Sequence, residues 1–236
     1  MININLSILF LVFFTIAKAQ TPPILYIAGD GTGDYNCDGS SDQVEINQAL
    51  DFVADNPDYT TIFLKGGMTY LIDEPVIISS NTIFTGEETA VLQLENNIGW
   101  WTHNKPMIGQ KNRAAWDSWG SEGDNISNVE IYGFEISGGE QEEPSGDTYI
   151  PLIHFYFPSN VLIHDMYLHD SKWDIVRLSS SEGNIDVNSK VYNNRIQYSG
   201  HEGVCFVGVT NFEVYNNNIY STRTNTGVKG FLIKTT

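Results

Sequence analysis

The sequence predicts an all-β chain wound as a parallel β-solenoid, and three observations predict it. The first is self-similarity: residues 150–173, 174–200 and 201–225 read as successive copies of one unit. Each copy holds a short apolar strand (LIHF, IVRL, VCFV), a turn, a second strand (VLIH, SKVY, FEVY) and an Asn- or Asp-bearing corner. A weaker copy, NISNVEIYGFEI, starts at Asn125, and a fourth, GVKGFLIK, has begun when the chain ends. The second is period. Ile131, Ile163, Val191 and Val214 stand 32, 28 and 23 residues apart, and the repeat lies in strands rather than helices. The third is alternation. In Ile153-His154-Phe155, Val176-Arg177-Leu178 and Val204-Cys205-Phe206 the outer residues are apolar and expected to face a core, while the middle one faces out. In-register stacking sets neighbouring coils ~4.8 Å apart, so residues in one column of the repeat become neighbours in space.

The 236 residues leave room for one elongated domain. Residues 1–19 read as a signal peptide: LSILFLVFFTI is an apolar core, and Ala17-Lys18-Ala19 is a small-x-small cleavage site before Gln20. The run is too short to span a bilayer. The mature chain is therefore expected to be secreted, extracellular or on the cell surface, without a membrane span. Cys37 and Cys205 lie several coils apart, too far for a disulfide, and are expected as unpaired thiols or paired with another molecule. The formal charge of −17 is lopsided: residues 1–150 carry 22 Asp+Glu against 5 Lys+Arg, and residues 151–236 carry 7 of each. With no basic face, nucleic acid is excluded as a partner.

Residues 20–58 hold a first strand, ILYIAG, an Asp/Gly loop and a helix. The loop DGTGDYNCDGSSDQVE has calcium-loop spacing, with Asp34, Asn36, Asp38, Gly39 and, at the twelfth place, Glu45. The competing reading is plain turn chemistry, with Asp42 and Glu45 as a capping box. Calcium is the one cofactor candidate, and none is required. Ile46, Ala49, Leu50 and Val53 have amphipathic spacing, and Asn56-Pro57 ends the helix. It is expected to cap the open end of the core.

Residues 59–236 form the coils, with insertions at 97–124 and 138–149. The first insertion carries Trp100, Trp101, Trp116 and Trp119, suited either to sugar rings or to covering the core's flank. The second is an acidic, Gly-containing loop. GVKGFLIKTT opens a coil and has no cap, so a longer native protein is expected, this chain being truncated at its C-terminus.

Aligned corners collect chemistry along one edge of the stack. One column holds Asp174, Glu202 and Thr226, and its neighbour holds Trp173, His201 and Asn225. Arg177, Cys205 and Lys229 form another, with His154 one coil earlier, and His169, Asp170 and Arg223 lie just upstream. Stacked carboxyls repel, so one of Asp174 and Glu202 is expected to keep its proton, which supplies the acid and base that glycosidic cleavage needs. Pairing Asp170 with Glu202 would widen the gap and favour inversion. His169 and His201 can orient a carboxylate or act as base. Arg177, Arg223 and Lys229 can grip a uronate or sulfate. The plain alternative is that stacked polar corners only bond one another, as Asn194 and Asn217 are expected to do in a structural ladder.

The strings GDGTGDYNCDGSSDQVEINQAL, VLIHDMYLHDSKWDIVRL, KVYNNRIQYSGHEGV and TRTNTGVK resemble the β-helix proteins related to the disaggregatases of methanogenic archaea, within the pectate-lyase-like superfamily. The likeness covers most of residues 25–229. It implies a right-handed parallel β-helix and an exported depolymerase of a chondroitin-like matrix. A fainter likeness to inverting polygalacturonases rests on Gly200-His201-Glu202-Gly203 and Gly227-Val228-Lys229; their paired aspartates have no clear match here. The expectation is a glycoside hydrolase acting on an anionic, uronate-containing extracellular polysaccharide. Asp170, Asp174, Glu202, His169 and His201 would be catalytic. Arg177, Arg223, Asn225, Lys229, His154 and Trp173 would bind substrate. A lyase and a non-catalytic binding or adhesion module stand as the alternatives.

Overall fold

The computed structural model describes residues 22–98, 105–110, 125–141, 151–180, 185–220 and 231–234. The predicted signal segment, the four insertion tryptophans, most of the acidic insertion, and Arg223, Asn225 and Lys229 lie outside the described residues. Strands β1 (Ile24–Ala28) and β2 (Tyr35–Asn36) precede helix α1 (Gln43–Asp55). Strands then come in threes. The first triplets are β3 (Thr61–Leu64), β4 (Thr69–Ile72) and β5 (Val76–Ile78), then β6 (Thr82–Gly86), β7 (Val91–Leu94) and β8 (Ile108–Gln110). Next are β9 (Ile126–Tyr132), β10 (Glu135–Ser137) and β11 (Ile153–Tyr156), then β12 (Pro158–His164), β13 (Tyr167–Ser171) and β14 (Val176–Ser179). The last are β15 (Ile185–Tyr192), β16 (Arg195–Ser199) and β17 (Val204–Val207), then β18 (Val209–Tyr215), β19 (Asn218–Tyr220) and β20 (Phe231–Lys234).

The members of each triplet go to three different sheets, all of them parallel. The first sheet runs β18-β15-β12-β9-β6-β3-β1-β2, the second β19-β16-β13-β10-β7-β4, and the third β20-β17-β14-β11-β8-β5. Among the described residues the chain is thus mostly β, with one helix. The four landmarks pair in register, Ile131 with Ile163, Ile163 with Val191 and Val191 with Val214. So do Ile153, Val176 and Val204, and Phe155, Leu178 and Phe206, all fully buried. A buried Ile, Val or Phe side chain contributes about 1.5–3 kcal/mol, while ordering each backbone residue costs about 1–2 kcal/mol. A triplet with only its few inward residues is therefore stable only between neighbours.

Two elements differ from expectation. Each repeat has three strands, because the Asn/Asp corners run on into the second-sheet strands YLHDS, RIQYS and NIY. The predicted insertion at 97–124 also contains β8, whose Ile108 pairs with Val76 on one side and Ile153 on the other. Its buried Met107 and Ile108 supply the apolar anchor.

Asparagine shapes the turns. Asn81, Asn128, Asn160, Asn188 and Asn211 all take positive φ, between 40° and 62°, at equivalent places in the first sheet. Asn tolerates that region better than other non-glycine residues. The column is tied side chain to side chain, Asn160 Nδ2 donating to Asn128 Oδ1 at 2.9 Å and Asn128 Nδ2 to Asn81 Oδ1 at 2.8 Å. The predicted ladder at Asn194 and Asn217 is present at the next corner. Asn194 Nδ2 donates to Asn217 Oδ1 and to the Ile163 carbonyl, both at 3.0 Å, and Asn194 Oδ1 accepts from Met166 N–H at 3.2 Å.

Helix α1 buries Gln43, Ile46, Ala49, Leu50 and Val53, the predicted face plus one polar residue. The capping box does not form: no side chain caps the helix at Asp42. Asp42 is fully buried and spends its carboxylate elsewhere, Oδ1 accepting from Asp38 and Gly39 N–H and Oδ2 from Leu71 N–H at 2.8 Å. Gln43 Oε1 accepts from Asp73 N–H at 3.1 Å, and Asn47 bonds Ile77 N–H at 2.8 Å and the Pro75 carbonyl at 2.9 Å. These groups lie on or beside β4 and β5, the last strands in the second and third sheets. Among the described residues, no helix is long and apolar enough to cross a membrane.

Asn194→Ala is expected to cost about 1–3 kcal/mol, since buried backbone groups on both sides lose their partner. Urea unfolding followed by circular dichroism measures it, and an unchanged midpoint would show the ladder to be dispensable.

Candidate active site

The corner between the second and third sheets repeats its construction. Ser171-Lys172-Trp173-Asp174 leads toward β14, and Ser199-Gly200-His201-Glu202 leads toward β17. In each, the serine Oγ accepts from the backbone N–H two residues on, Trp173 and His201, at 3.2 Å. Such short-range bonds pin a turn. Across the two corners, Ser199 Oγ donates to the Trp173 carbonyl at 2.9 Å, and His201 N–H donates to the same oxygen at 3.3 Å. Gly200 permits this approach, because a Cβ there would sit 2.2 Å from the Lys172 carbonyl oxygen.

Stacking the corners turns two sequence columns into contacts. The rings of Trp173 and His201 stack with centroids 4.3 Å apart and planes 14° from parallel. Asp174 is 0 % exposed and Glu202 1 %. Asp174 Oδ1 accepts from Glu202 N–H at 3.1 Å and from His201 Nδ1 at 2.7 Å, while the same His201 nitrogen contacts Glu202 Oε2. Arg177 Nη1 donates to Asp174 Oδ2 at 2.9 Å and to Cys205 Sγ at 3.6 Å.

Burial is the largest influence on the Asp174 carboxyl and opposes its charge. The His201 hydrogen bond and the Arg177 guanidinium together outweigh it, so Asp174 is held below its ordinary value. It is not the proton-keeping member of a carboxyl pair. Burial also works against the Arg177 charge, and Cys205 and Asp174 overcome it, raising Arg177. Burial first, then Asp174, pushes the Cys205 thiol up, so it stays neutral. The Asp174 Oδ1 acceptor places the proton on His201 Nδ1, leaving Nε2 as the acceptor. Among the described residues Nε2 makes no hydrogen bond, and the side chain is 28 % exposed.

The remaining sequence candidates divide. His154 shares the column of Arg177 and Cys205 and bonds Ser179 Oγ through Nε2 at 2.9 Å. His169 and Asp170 form a separate group, with His169 Nδ1 2.5 Å from Asp170 Oδ2 and Nε2 3.1 Å from Glu135 Oε1. The register of β13 puts His169 beside Ser137 and Gln197 of the second sheet, before the corner is turned. The place beside Cys205 in the next strand is Leu232, not Lys229: the last partial repeat pairs from Phe231 onward. His154, Arg177 and Cys205, expected to face out, are all buried, as is nearly all of β11, β14 and β17. Both faces of the third sheet are covered here, which alternation alone does not reveal.

Cys37 and Cys205 are free and buried. In the predicted calcium loop, Asp34 Oδ2 accepts from Tyr26 N–H, Asn36 Oδ1 from Gly33 N–H and Asp38 Oδ1 from Ser40 N–H. Among the described residues, the groups that converge closely enough for a cation are Cys37, Asp42 and Glu45, and Asp174, His201 and Glu202, each within 4.8 Å. Comparison with known protein families, curated proteins and solved structures returns no match.

Because the folded value of Asp174 lies below its ordinary 3.8, its stabilisation is complete above that pH and is lost as pH falls through the folded value. Asp174→Asn is therefore expected to flatten the acid limb of stability below pH 3.8. It is also expected to cost about 3–5 kcal/mol at neutral pH, by leaving Arg177 buried without its carboxylate. Urea unfolding at a series of pH values tests both; an unaltered acid limb would assign it to other carboxyls.

Proposed function

We propose that the chain is a right-handed parallel β-helix, with α1 capping one end, and that it is an exported polysaccharide-degrading enzyme whose proton-transfer group is His201. The cyclic passage of successive strands through three parallel sheets supports the winding. The bonds from Asp42, Gln43 and Asn47 to the strand ends support the cap. The substrate class, a uronate-containing polymer of chondroitin-like kind, is supported by the resemblance of the four sequence strings to disaggregatase-related proteins.

One observation carries the chemistry. His201 Nδ1 is hydrogen-bonded to Asp174 with Glu202 beside it, its ring is backed by Trp173, and Nε2 is left unbonded among the described residues. An imidazole held in one tautomer, with carboxylates to stabilise the imidazolium once it forms, is a general base.

The burial of both carboxyls favours elimination over hydrolysis. A glycosidase needs two carboxyls that flank the sugar. Asp174 and Glu202 are instead 0 % and 1 % exposed, and Asp174 spends an oxygen on His201 Nδ1. In elimination, Nε2 takes the proton from C5 of a uronate, the electron pair forms the C4–C5 double bond, and the C4–O bond breaks, the leaving oxygen taking a proton from water. Arg223 and Lys229, outside the described residues, are the cations the sequence offers for the uronate carboxylate.

His201→Ala is expected to lower turnover about 10²–10⁴-fold while leaving the far-ultraviolet circular dichroism unchanged. Product formation from chondroitin and galacturonan is followed by reducing ends and by absorbance of unsaturated uronate. Both signals rising together support elimination. Reducing ends alone return hydrolysis and the carboxyls of Asp170 and Glu202, and full activity in the variant overturns the role of His201.

A further inference from the structure

We propose a second carbohydrate site, on the outer face of the second sheet, in which Arg195 binds the carboxylate of a uronate unit and Tyr198 stacks on the sugar. It rests on the reading of the substrate as an anionic polysaccharide. Arg195 opens β16 and lies in register between Tyr167 of β13 and Asn218 of β19. Its guanidinium sits over the Tyr167 ring, 4.4 Å from the centroid. Its Nε donates to Tyr220 Oη at 3.0 Å, and Nη2 donates to Gln197 Oε1 at 3.3 Å. Gln197 Nε2 in turn donates to Tyr167 Oη, and the Tyr167 ring stacks on His169 at 4.2 Å.

The guanidinium is thus held in place while its remaining N–H groups, including both on Nη1, have no partner among the described residues. Its setting differs from that of the ion-paired cations among the described residues. It is shared only in part by Lys65, which bonds Thr32 and lies over the Tyr26 ring but offers no fork. Lys105 pairs with Glu74, Arg177 with Asp174 and Lys190 with Glu213. Arg195 makes no ion pair among the described residues, although the protein carries a net −17. The carboxylates near it on this face, Glu135 and Asp170, are both bonded to His169. A fixed, exposed guanidinium fork without a carboxylate partner is suited to an incoming one.

A second observation points the same way. Tyr198, three residues along, is 51 % exposed and has φ of +56°. Asp170, the equivalent corner residue of the previous repeat, has φ of +62°, so the left-handed turn belongs to the repeat, and what is particular here is that a tyrosine occupies it. The turn leaves an aromatic ring in solvent on the same short strand as the guanidinium. A ring face for the apolar side of a pyranose and, on the same strand, a fork for a carboxylate match a uronate-containing chain.

The test is isothermal titration with chondroitin and galacturonan oligosaccharides and with their carboxyl-reduced, neutral counterparts. Wild type, Arg195→Gln and Tyr198→Asn are compared, the last because Asn accepts positive φ. Arg195→Gln is expected to weaken binding of the uronate oligosaccharides about tenfold and to leave that of the neutral ones unchanged. Tyr198→Asn is expected to weaken both. Equal affinity of wild type and Arg195→Gln for uronate, or no measurable binding of any oligosaccharide, overturns the site. Turnover measured on the same samples separates the two readings. Retained turnover with Arg195-independent binding removes this site alone, whereas Arg195-dependent binding without turnover upholds the site and removes the enzymatic reading.

Discussion

Parallel pairing in register, repeated through three sheets, is the constraint on which everything else in this protein depends. It sets each residue directly above its counterpart in the previous repeat, at the ~4.8 Å spacing of adjacent strands. A side chain must therefore suit both its own position and its column. Apolar columns such as Ile131, Ile163, Val191 and Val214 become continuous core. Asparagine columns become hydrogen-bonded ladders that also absorb the strain of left-handed turns.

The same constraint assembles the candidate site. A carboxylate as deeply buried as Asp174 is costly unless every lone pair is used. Stacked corners supply what is needed: an imidazole and a backbone N–H from the next repeat, and a guanidinium from the strand that follows Asp174. His201 is then oriented by groups from two repeats at once. Its chemistry belongs to the stack and to neither corner alone.

The sequence made the columns legible because alignment of repeats is equivalent to adjacency along the stack. The landmark register and the meeting of Trp173 with His201 could be read that way, and the helix face from its amphipathic spacing. What alignment cannot supply is direction around the coil. Arg177 reaches back to Asp174 around the corner, and His169 turns instead to Asp170 and Glu135 on another sheet. The second-sheet strands were hidden because they are short and polar, as RIQYS illustrates, and their αL corners looked like turns alone. Strand β8 was hidden by tryptophan-rich flanks that break the period. The covering of the third sheet's outer face depends on neighbours distant in sequence, so alternation in Val176-Arg177-Leu178 promised an exposed arginine where a buried one stands.

The side chains of Asp42, Gln43 and Asn47 occupy hydrogen-bonding positions at β4 and β5 that another strand would otherwise seek. An open parallel edge is a template for a second chain, and proteins blunt such edges by covering them. Here the covering is chemical as well as steric, since the groups that would recruit a foreign strand are already bonded. If α1 is the cap proposed above, end-to-end addition of copies would find no open hydrogen-bonding positions at β4 and β5, and the helix would act as a chain terminator for assembly.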